Sequence, residues 1–148
     1  MKINFNFIEI PELKIKRKEW KKWIASIPEQ EQKVLQNLQY IFCNDEYLLQ
    51  VNIQYLNHDT LTDIITFDNS DEDNVIDGDI FISLERVKEN ADKFKVTFET
   101  ELARVLAHGV LHLCGYGDKK SAEIKVMRAK EDFYIASSPA KCKVTSLK

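Results

Sequence analysis

The sequence has few cysteines and no long apolar run, and each of these features excludes a class of protein. It contains three cysteines, widely spaced and without a CxxC pair, which excludes a disulfide framework and an all-cysteine zinc site. No apolar run approaches the roughly 18 residues of a transmembrane helix, and the first residues alternate polar with apolar instead of forming a signal-peptide core. We therefore expect a protein of the reducing cytoplasm with no membrane partner.

An excess of charge of one sign is also lacking, since 21 basic side chains stand against 24 acidic ones for a net charge of −3. A chain with this balance has no overall attraction for phosphate, so any nucleic-acid binding must come from a local patch. The 148 residues are 44% apolar and 30% charged, which is typical of one folded domain and excludes a disordered or fibrous chain. We expect a single domain over residues 1–136 and a flexible C-terminal tail over 137–148, a stretch without periodicity.

Patterns of apolar residues predict one α+β domain. Strands are predicted over 3–10, 47–55, 62–67 and 78–82, and the 47–55 segment carries apolar side chains at every odd position. Helices are predicted over 16–27, 34–42, 83–94, 97–113 and 121–135 from apolar stripes at helical spacing. The expected architecture is a small mixed sheet of about four strands covered by about five helices.

Two of the three histidines and three of the four glycines fall between His108 and Gly117. His108 and His112 lie four residues apart on a predicted helix, so both rings project from one face and can share one ion. Gly115 and Gly117 then permit the chain to turn back, and Asp118 follows that turn directly. A hydrolytic zinc needs three protein ligands and an open position for water, which this order of residues can supply. A pair of half-exposed helix histidines that bind nothing is the alternative interpretation.

The segment HGVLHLCGYGD resembles the signature H-G-x-L-H-L-x-G-Y-D-H of the YbeY family, single-strand endoribonucleases that act in rRNA maturation. The resemblance covers about residues 47–132. Further matching positions are Asn52, Tyr55, Asp59, Thr62, Asp63, Phe67, Gly78, Asp79, Ile80, Glu123, Met127 and Glu131. The resemblance implies a zinc-metallohydrolase-like helix in which His108 and His112, together with Asp118, hold one Zn²⁺ ion per chain.

Two positions depart from the family pattern. Asp118 stands where the family has its third histidine; an aspartate oxygen also ligates zinc, and this harder ligand set accepts other divalent ions more readily. Leu56 replaces the arginine that follows the family's tyrosine and is expected to help stabilise the phosphate. Arg104, one helical turn before His108, is the candidate replacement, and an ordinary salt-bridging arginine is the alternative.

A zinc peptidase is a competing class, because its H-E-x-x-H motif also places two histidines on one helix face. Gly109 stands where that motif has its catalytic glutamate, on the core-facing side of the predicted helix. The peptidase is therefore disfavoured.

The segment 14–23 carries six basic residues against one acid and contains Trp20 and Trp23. Aromatic side chains in basic surroundings can stack on unpaired bases while the cations neutralise phosphates. Both tryptophans also lie on an apolar helical stripe, which favours a core role beneath a solvated basic face.

Together, the residues and the resemblance imply a zinc-dependent endoribonuclease that acts on single-stranded RNA in rRNA processing, with the ribosome or ribosomal proteins as partners. His108, His112 and Asp118 would hold the metal, and Arg104 is the candidate catalytic cation. The alternative is a non-catalytic ribosome-assembly factor whose metal is structural, which the absence of the family arginine at Leu56 favours. A structural site would be closed by a fourth protein ligand.

Overall fold

The structure is a computed structural model, and it describes residues 2–57 and 62–140. Its strands are β1 (Ile3–Phe7), β2 (Val34–Cys43), β3 (Ile64–Asp68) and β4 (Val75–Ser83). Its helices are α1 (Arg17–Gln30), α2 (Asp45–Leu56), α3 (Leu84–Phe94), α4 (Phe98–Leu113) and α5 (Ser121–Ile135). Over the described ranges, the chain thus has the α+β composition that the sequence predicts.

The four strands form one mixed sheet in the order β1-β2-β4-β3. β1, β2 and β4 run parallel, whereas β3 pairs antiparallel with β4, with Ile64 opposite Ile82. The predicted small mixed sheet is therefore confirmed. β3 lies at one edge of the sheet, where both α2 and α4 contact it.

The two faces of this sheet are covered unequally. One face packs against α1, α3 and α4, with α5 resting on α4, around a large core that includes Tyr40 and Leu106. The other face carries a smaller core beneath α2, which includes Leu48, Val51 and Ile65. Helices α2 and α4 consequently flank the β3 edge from opposite sides of the sheet.

The prediction of a helix over 34–42 is wrong, because this segment is the inner strand β2. Leu38, Tyr40 and Phe42 alternate along it and are fully buried on one face, while Cys43 is buried on the other. A strand covered on both faces reads as a nearly continuous apolar run, which a helical stripe also fits. Pairing with β1 on one side and β4 on the other favours the extended conformation here.

The prediction of a strand over 47–55 is also wrong, because this segment belongs to α2. Asn44 caps the helix: its side-chain oxygen accepts a hydrogen bond from the backbone N–H of Tyr47 at 2.8 Å. Leu48, Val51 and Asn52 are the buried residues, at helical spacing. The strand 62–67, predicted as a neighbour of this segment, pairs with β4 instead.

The predicted C-terminal tail over 137–148 is described only as far as residue 140, and residues 141–148 lie outside the described residues. Ser138 and Ala140 are buried, so the packed part of the chain extends past the predicted boundary at residue 136.

None of the helices formed by residues 2–57 and 62–140 has both the length and the apolar character needed to cross a membrane.

Candidate metal centre

The two histidines of α4 border one cavity of about 340 Å³ at the β3 edge of the sheet. Its walls come from α2, β3, α4 and the turn after α4, and the lining residues are Asn52, Leu56, Thr62, Ile64, Ile65, Thr66, His108, His112, Asp118 and Lys119. The ring of His108 is three-quarters buried, and His112, one turn later, is exposed at the cavity mouth. The i, i+4 spacing has therefore placed both rings on the wall of the same cavity.

Asp118 returns to this cavity through the turn that follows α4. Helix α4 ends at Leu113, and Gly115 adopts a φ of +109°, a conformation that side-chain-bearing residues rarely adopt. The Asp118 Oδ2 atom then lies 3.2 Å from His108 Nε2. The predicted hinge and carboxylate are thus present, although Gly115 alone supplies the positive φ among the described glycines.

Glu131 on α5 holds the other side of the His108 ring. His108 Nδ1 lies 2.8 Å from Glu131 Oε2, and Nε2 lies on the side of Asp118. In the neutral tautomer protonated at Nδ1, the ring donates to Glu131 and keeps the Nε2 lone pair for a ligand. The Glu131 side chain is only 5% exposed. Burial by itself would lower the pKa of His108, but the hydrogen bond and charge of Glu131, with the charges of Asp118 and Asp63, raise it above its usual value.

Glu131 is predicted from the sequence only as a position that matches the family, and its contact with His108 is seen only in the structure. A signal was present, because Met127 and Glu131 lie four residues apart on one face of α5 and both are buried. An acid on an apolar helical stripe requires a buried partner. The identity of that partner, 23 positions away, depends on how α5 packs on α4.

Arg104 lies one helical turn before His108 on α4 but does not line the histidine cavity. Its Nη1 donates to Glu131 Oε1 and its Nη2 donates to Asp132 Oδ1, both at 2.8 Å. The guanidinium is therefore held between two carboxylates of α5. These contacts are those of the salt-bridging alternative, and they place Arg104 behind Glu131 and not beside a bound phosphate.

The surroundings of His108 are strongly acidic. Asp63, just before β3, interacts electrostatically with His108 and Glu131, and burial raises the pKa of its carboxyl group. Burial likewise raises the pKa of Glu101, which shares α4 with His108 and is 4% exposed. A cavity backed by several carboxyl groups attracts a cation and repels phosphate unless the cation is present.

The spacing of His108 and Asp118 fits a shared zinc ion. Two ligand atoms at bond lengths of about 2.0–2.1 Å around a tetrahedral Zn²⁺ lie about 3.3 Å apart, close to the 3.2 Å between His108 Nε2 and Asp118 Oδ2. Within residues 2–57 and 62–140, no three His, Cys, Asp or Glu side chains are arranged so that they could hold a metal ion together. His112 borders the same cavity, and its side chain is exposed.

A second carboxylate anchors the turn that carries Asp118. The hydroxyl groups of Tyr116 and Tyr134 both donate to Glu31, with a distance of 2.6 Å for Tyr116, and the Lys130 ammonium lies 3.0 Å from the same carboxylate. We call these four residues the Glu31 cluster. It ties the end of α1 to the turn and to α5, on the side of the turn away from the cavity lining.

Gly109 packs directly against the sheet. A Cβ atom at this position would lie 2.7 Å from Ile80 Cδ1 and 3.2 Å from Ile64 Cδ1, so any side chain here would require these isoleucine side chains to shift. A glutamate at this position would disturb that packing, which agrees with the sequence argument against a zinc peptidase.

The basic segment 14–23 belongs to a different region. Trp20 and Trp23 are buried in the large core, as their apolar stripe predicts. A groove of about 1360 Å³ between α1 and the end of α5 is bordered by Lys14, Lys16 and Lys22. Among the described residues, none lines both this groove and the histidine cavity.

The chain is similar in sequence to a known protein family and to named proteins. Residues 7–138 match the family described as Endoribonuclease YbeY. The chain is 56% identical over 114 residues to a Flavobacterium johnsoniae protein named Endoribonuclease YbeY, an alignment that covers 77% of this chain and 81% of that protein. A protein of the same name from Flavobacterium psychrophilum is 60% identical over 110 residues, which cover 74% of this chain and 78% of that one.

A solved structure is also similar. The solution structure of a Thermotoga maritima protein superposes with a TM-score of 0.64 and 28% sequence identity, and the match covers 93% of this chain and 95% of that chain. The fold described above is therefore shared with a protein of distant sequence.

Proposed function

The chain belongs to the YbeY endoribonuclease family, and from this membership we propose that it cuts single-stranded RNA with one Zn²⁺ ion bound per chain. Membership of this family supports the endoribonuclease activity. Zinc as the metal, a role in rRNA processing in the cytoplasm and contact with the ribosome or its proteins are parts of the proposal. Another divalent ion in place of zinc is compatible with the aspartate in the ligand set.

One observation above all supports the metal centre: the His108 ring lies between two carboxylates. Glu131 accepts a hydrogen bond from its Nδ1–H, and Asp118 lies at ligand spacing from its Nε2. Histidines that bind metals characteristically donate their second ring N–H to such a carboxylate, which fixes the tautomer and the ring orientation. We infer that His108, His112 and Asp118 are the ligands and that Glu131 orients His108.

A bound zinc ion would lower the pKa of a coordinated water and polarise the phosphate. The residues of the chain determine where this can happen. Arg104 holds Glu131 in place from behind, and Glu131 in turn keeps Nε2 of His108 directed into the cavity. The Glu31 cluster anchors the turn that presents Asp118. His108 is therefore oriented by a carboxylate that contacts it directly, whereas the Glu31 cluster contacts the turn at Tyr116, two residues before Asp118.

An exposed aromatic residue beside the cavity supports a preference for single strands. Tyr55 is 63% exposed and packs edge-on against Phe67, with 5.9 Å between ring centroids. It directly precedes Leu56, which lines the cavity. An aromatic ring held in this way can stack on an unpaired base, whereas the bases of a duplex are already stacked on each other.

The alternative, an assembly factor with a structural metal, needs a fourth protein ligand. Of the described residues that border the cavity, His108, His112 and Asp118 alone are of the types His, Cys, Asp and Glu. The open position that a catalytic zinc keeps for water is therefore favoured over a closed site. Leu56 still argues for the alternative, because it brings an apolar side chain to the position of the family's arginine.

The test is metal analysis of the purified protein, followed by cleavage assays on a single-stranded RNA with and without a chelator. We expect about one divalent ion per chain, cleavage that stops with chelator and resumes with added zinc, and no cleavage of unfolded casein. The variant in which both His108 and His112 are alanine should bind no metal and cut no RNA. Full metal content in a folded double variant would overturn the assignment.

Variants of Asp118 test whether this residue is a metal ligand or only part of the turn. As a ligand, Asp118→Ala should weaken zinc binding by several kcal/mol, and Asp118→His should preserve it, since imidazole ligates zinc at nearly the same distance. As a turn residue, its loss would cost about 1 kcal/mol of stability and no metal affinity. Zinc titration of both variants gives the answer, and wild-type affinity in the alanine variant would contradict the three-ligand site.

A further inference from the structure

We propose that Lys119 binds a backbone phosphate of the RNA at the mouth of the histidine cavity. The inference rests on the proposed function, and it names the cation that serves in place of the arginine absent at position 56. Leu56 and Lys119 border the same cavity, one from the end of α2 and the other from the turn after α4. In this chain the positive charge would come from the turn after α4, and not from the end of α2 where the family has its arginine.

Two arginines near the cavity are engaged elsewhere. Arg104 is held by Glu131 and Asp132, as described above. Arg86 contacts Asp45 at 3.1 Å and also Glu89. Among the described residues lining the cavity, Lys119 is the one Lys or Arg.

The ammonium group of Lys119 is available for a ligand. Within residues 2–57 and 62–140, no carboxylate forms an ion pair with it. By contrast, Lys130 on the neighbouring helix is bound to Glu31 at 3.0 Å. An unpaired lysine beside a site for a polyanionic substrate can exchange its hydration for a phosphate oxygen at low cost.

The backbone of Lys119 is held at a defined place. Glu123 Oε1 accepts hydrogen bonds from the backbone N–H groups of Lys119 and Lys120 at 3.3 and 3.0 Å. A Cβ atom on Gly117 would lie 2.5 Å from the Glu123 carboxylate, so the turn and this side chain are in close contact. Glu123 therefore fixes the backbone of the turn, and the Lys119 side chain extends from this fixed backbone next to Asp118.

Because the site is acidic, a phosphate needs a positively charged side chain there in order to bind. Asp118 lines the cavity with a carboxylate, and Glu131 and Asp63 also act electrostatically on His108. A phosphodiester brings one more negative charge, which an ion held by Asp118 would only partly offset. A lysine next to Asp118 supplies a flexible point charge that reaches a phosphate oxygen without the bidentate geometry of arginine.

The test compares Lys119→Ala and Lys119→Arg with Lys120→Ala, which removes an equal charge from the same turn but outside the cavity lining. For the zinc-loaded proteins on single-stranded RNA, we expect Lys119→Ala to lower kcat/KM about ten- to hundredfold. Its slope of log affinity against log salt should be shallower by about 0.7, the loss of one phosphate contact to a single strand. Lys119→Arg should retain most of the activity, and Lys120→Ala should match wild type. Wild type and the three variants should contain the same amount of zinc per chain.

A Lys119→Ala variant with wild-type kcat/KM and salt slope would overturn the inference and leave the endoribonuclease assignment intact. Equal losses in Lys119→Ala and Lys120→Ala would also overturn it, since they would show a general effect of charge. If the zinc-loaded wild type cut no RNA, the proposed function would fail instead. Binding of the same RNA to the zinc-loaded proteins would then decide on Lys119, with unchanged affinity in Lys119→Ala as the contradicting result.

Discussion

Two carboxylates with little exposure lie in different surroundings: Glu131 is part of helix α5, and Glu31 lies at the end of α1 and contacts α5. Glu131 contacts His108 and Arg104, and its imidazole partner faces the cavity. Glu31 contacts Tyr116, Tyr134 and Lys130, whose polar groups converge on the carboxylate itself. We call the first group, with Asp132, the Glu131 cluster.

The comparison shows that burial alone does not mark a functional acid. The side chains of Glu131 and Glu31 are 5% and 9% exposed, and each accepts several hydrogen bonds. The difference is that a partner of Glu131 presents a second ring nitrogen to the cavity, while the partners of Glu31 connect segments of the fold. A carboxylate at a candidate site should therefore be judged by what its partners face.

The largest difference should appear in zinc affinity on replacing Glu131. Glu131→Gln keeps the shape of the side chain, but one amide oxygen cannot serve both His108 and Arg104, and the amide nitrogen cannot accept from Nδ1–H. We expect zinc binding to weaken about ten- to hundredfold, measured by competition with a chromophoric chelator. Unchanged affinity in a folded Glu131→Gln protein would show that Glu131 does not orient a metal ligand.

Replacing Glu31 should reduce stability and leave the metal centre unaffected. Glu31→Gln removes a charged acceptor of three hydrogen bonds, and we expect the free energy of unfolding to fall by about 1–3 kcal/mol. Urea unfolding of the metal-free proteins measures this loss. Zinc affinity should equal that of wild type; a loss as large as that of Glu131→Gln would show that the two clusters act as one unit.

The contribution of Glu31 should also depend on pH. Burial by itself would raise the pKa of Glu31, but the hydrogen bonds from Tyr116, Tyr134 and Lys130 outweigh it and lower the pKa below its usual value. A carboxyl group with a lowered pKa stabilises the fold above its unfolded pKa of about 4.3, and this contribution is lost as the pH falls through the folded pKa.

Wild type and Glu31→Gln should therefore differ most in unfolding free energy near neutral pH and progressively less on acidification. Urea unfolding at a series of pH values checks this. A difference that stays constant down to the acid limit would mean that packing, and not the charge of Glu31, accounts for the stabilisation.

The smallest effect is expected at the exposed end of the Glu131 cluster. The Asp132 side chain is 60% exposed, and its one described ion pair is with Arg104. Asp132→Asn should change the unfolding free energy by less than about 1 kcal/mol and leave zinc affinity unchanged. The variant is thus a matched control for Glu131→Gln, because both remove one carboxylate from the same arginine. An equal loss of zinc affinity in both would show that Arg104, and not the hydrogen bond from His108, mediates the effect.

The fold could be predicted in class but not element by element. The numbers of strands and helices in the described residues agree with expectation, yet the segments 34–42 and 47–55 exchange their types. Each carries a pattern that fits both periods. Leu38, Tyr40 and Phe42 alternate within β2, whereas in α2 Val51 and Asn52 follow Leu48 by three and four residues. Only the pairing of β2 with two strands, and the Asn44 cap before α2, resolve the ambiguity.

The sequence by itself determined the features of the candidate site that depend on near neighbours. The four-residue spacing of His108 and His112 places them on one helix face, and Gly115 lets the following residues turn back toward that face. Both follow from backbone geometry over about ten residues. The side chains of Trp20 and Trp23 were likewise assigned to the core from spacing within one helix.

Only the tertiary structure decided which distant groups support these residues. Glu131 meets His108 across 23 positions and Arg104 across 27, and Glu31 meets Tyr116 across 85. Arg104 lies on the same helix as His108, so spacing allowed it a place at the cavity, but the acids of α5 hold it behind Glu131. A hydrogen bond between helices depends on how they pack, and no local periodicity encodes the angle and register of that packing.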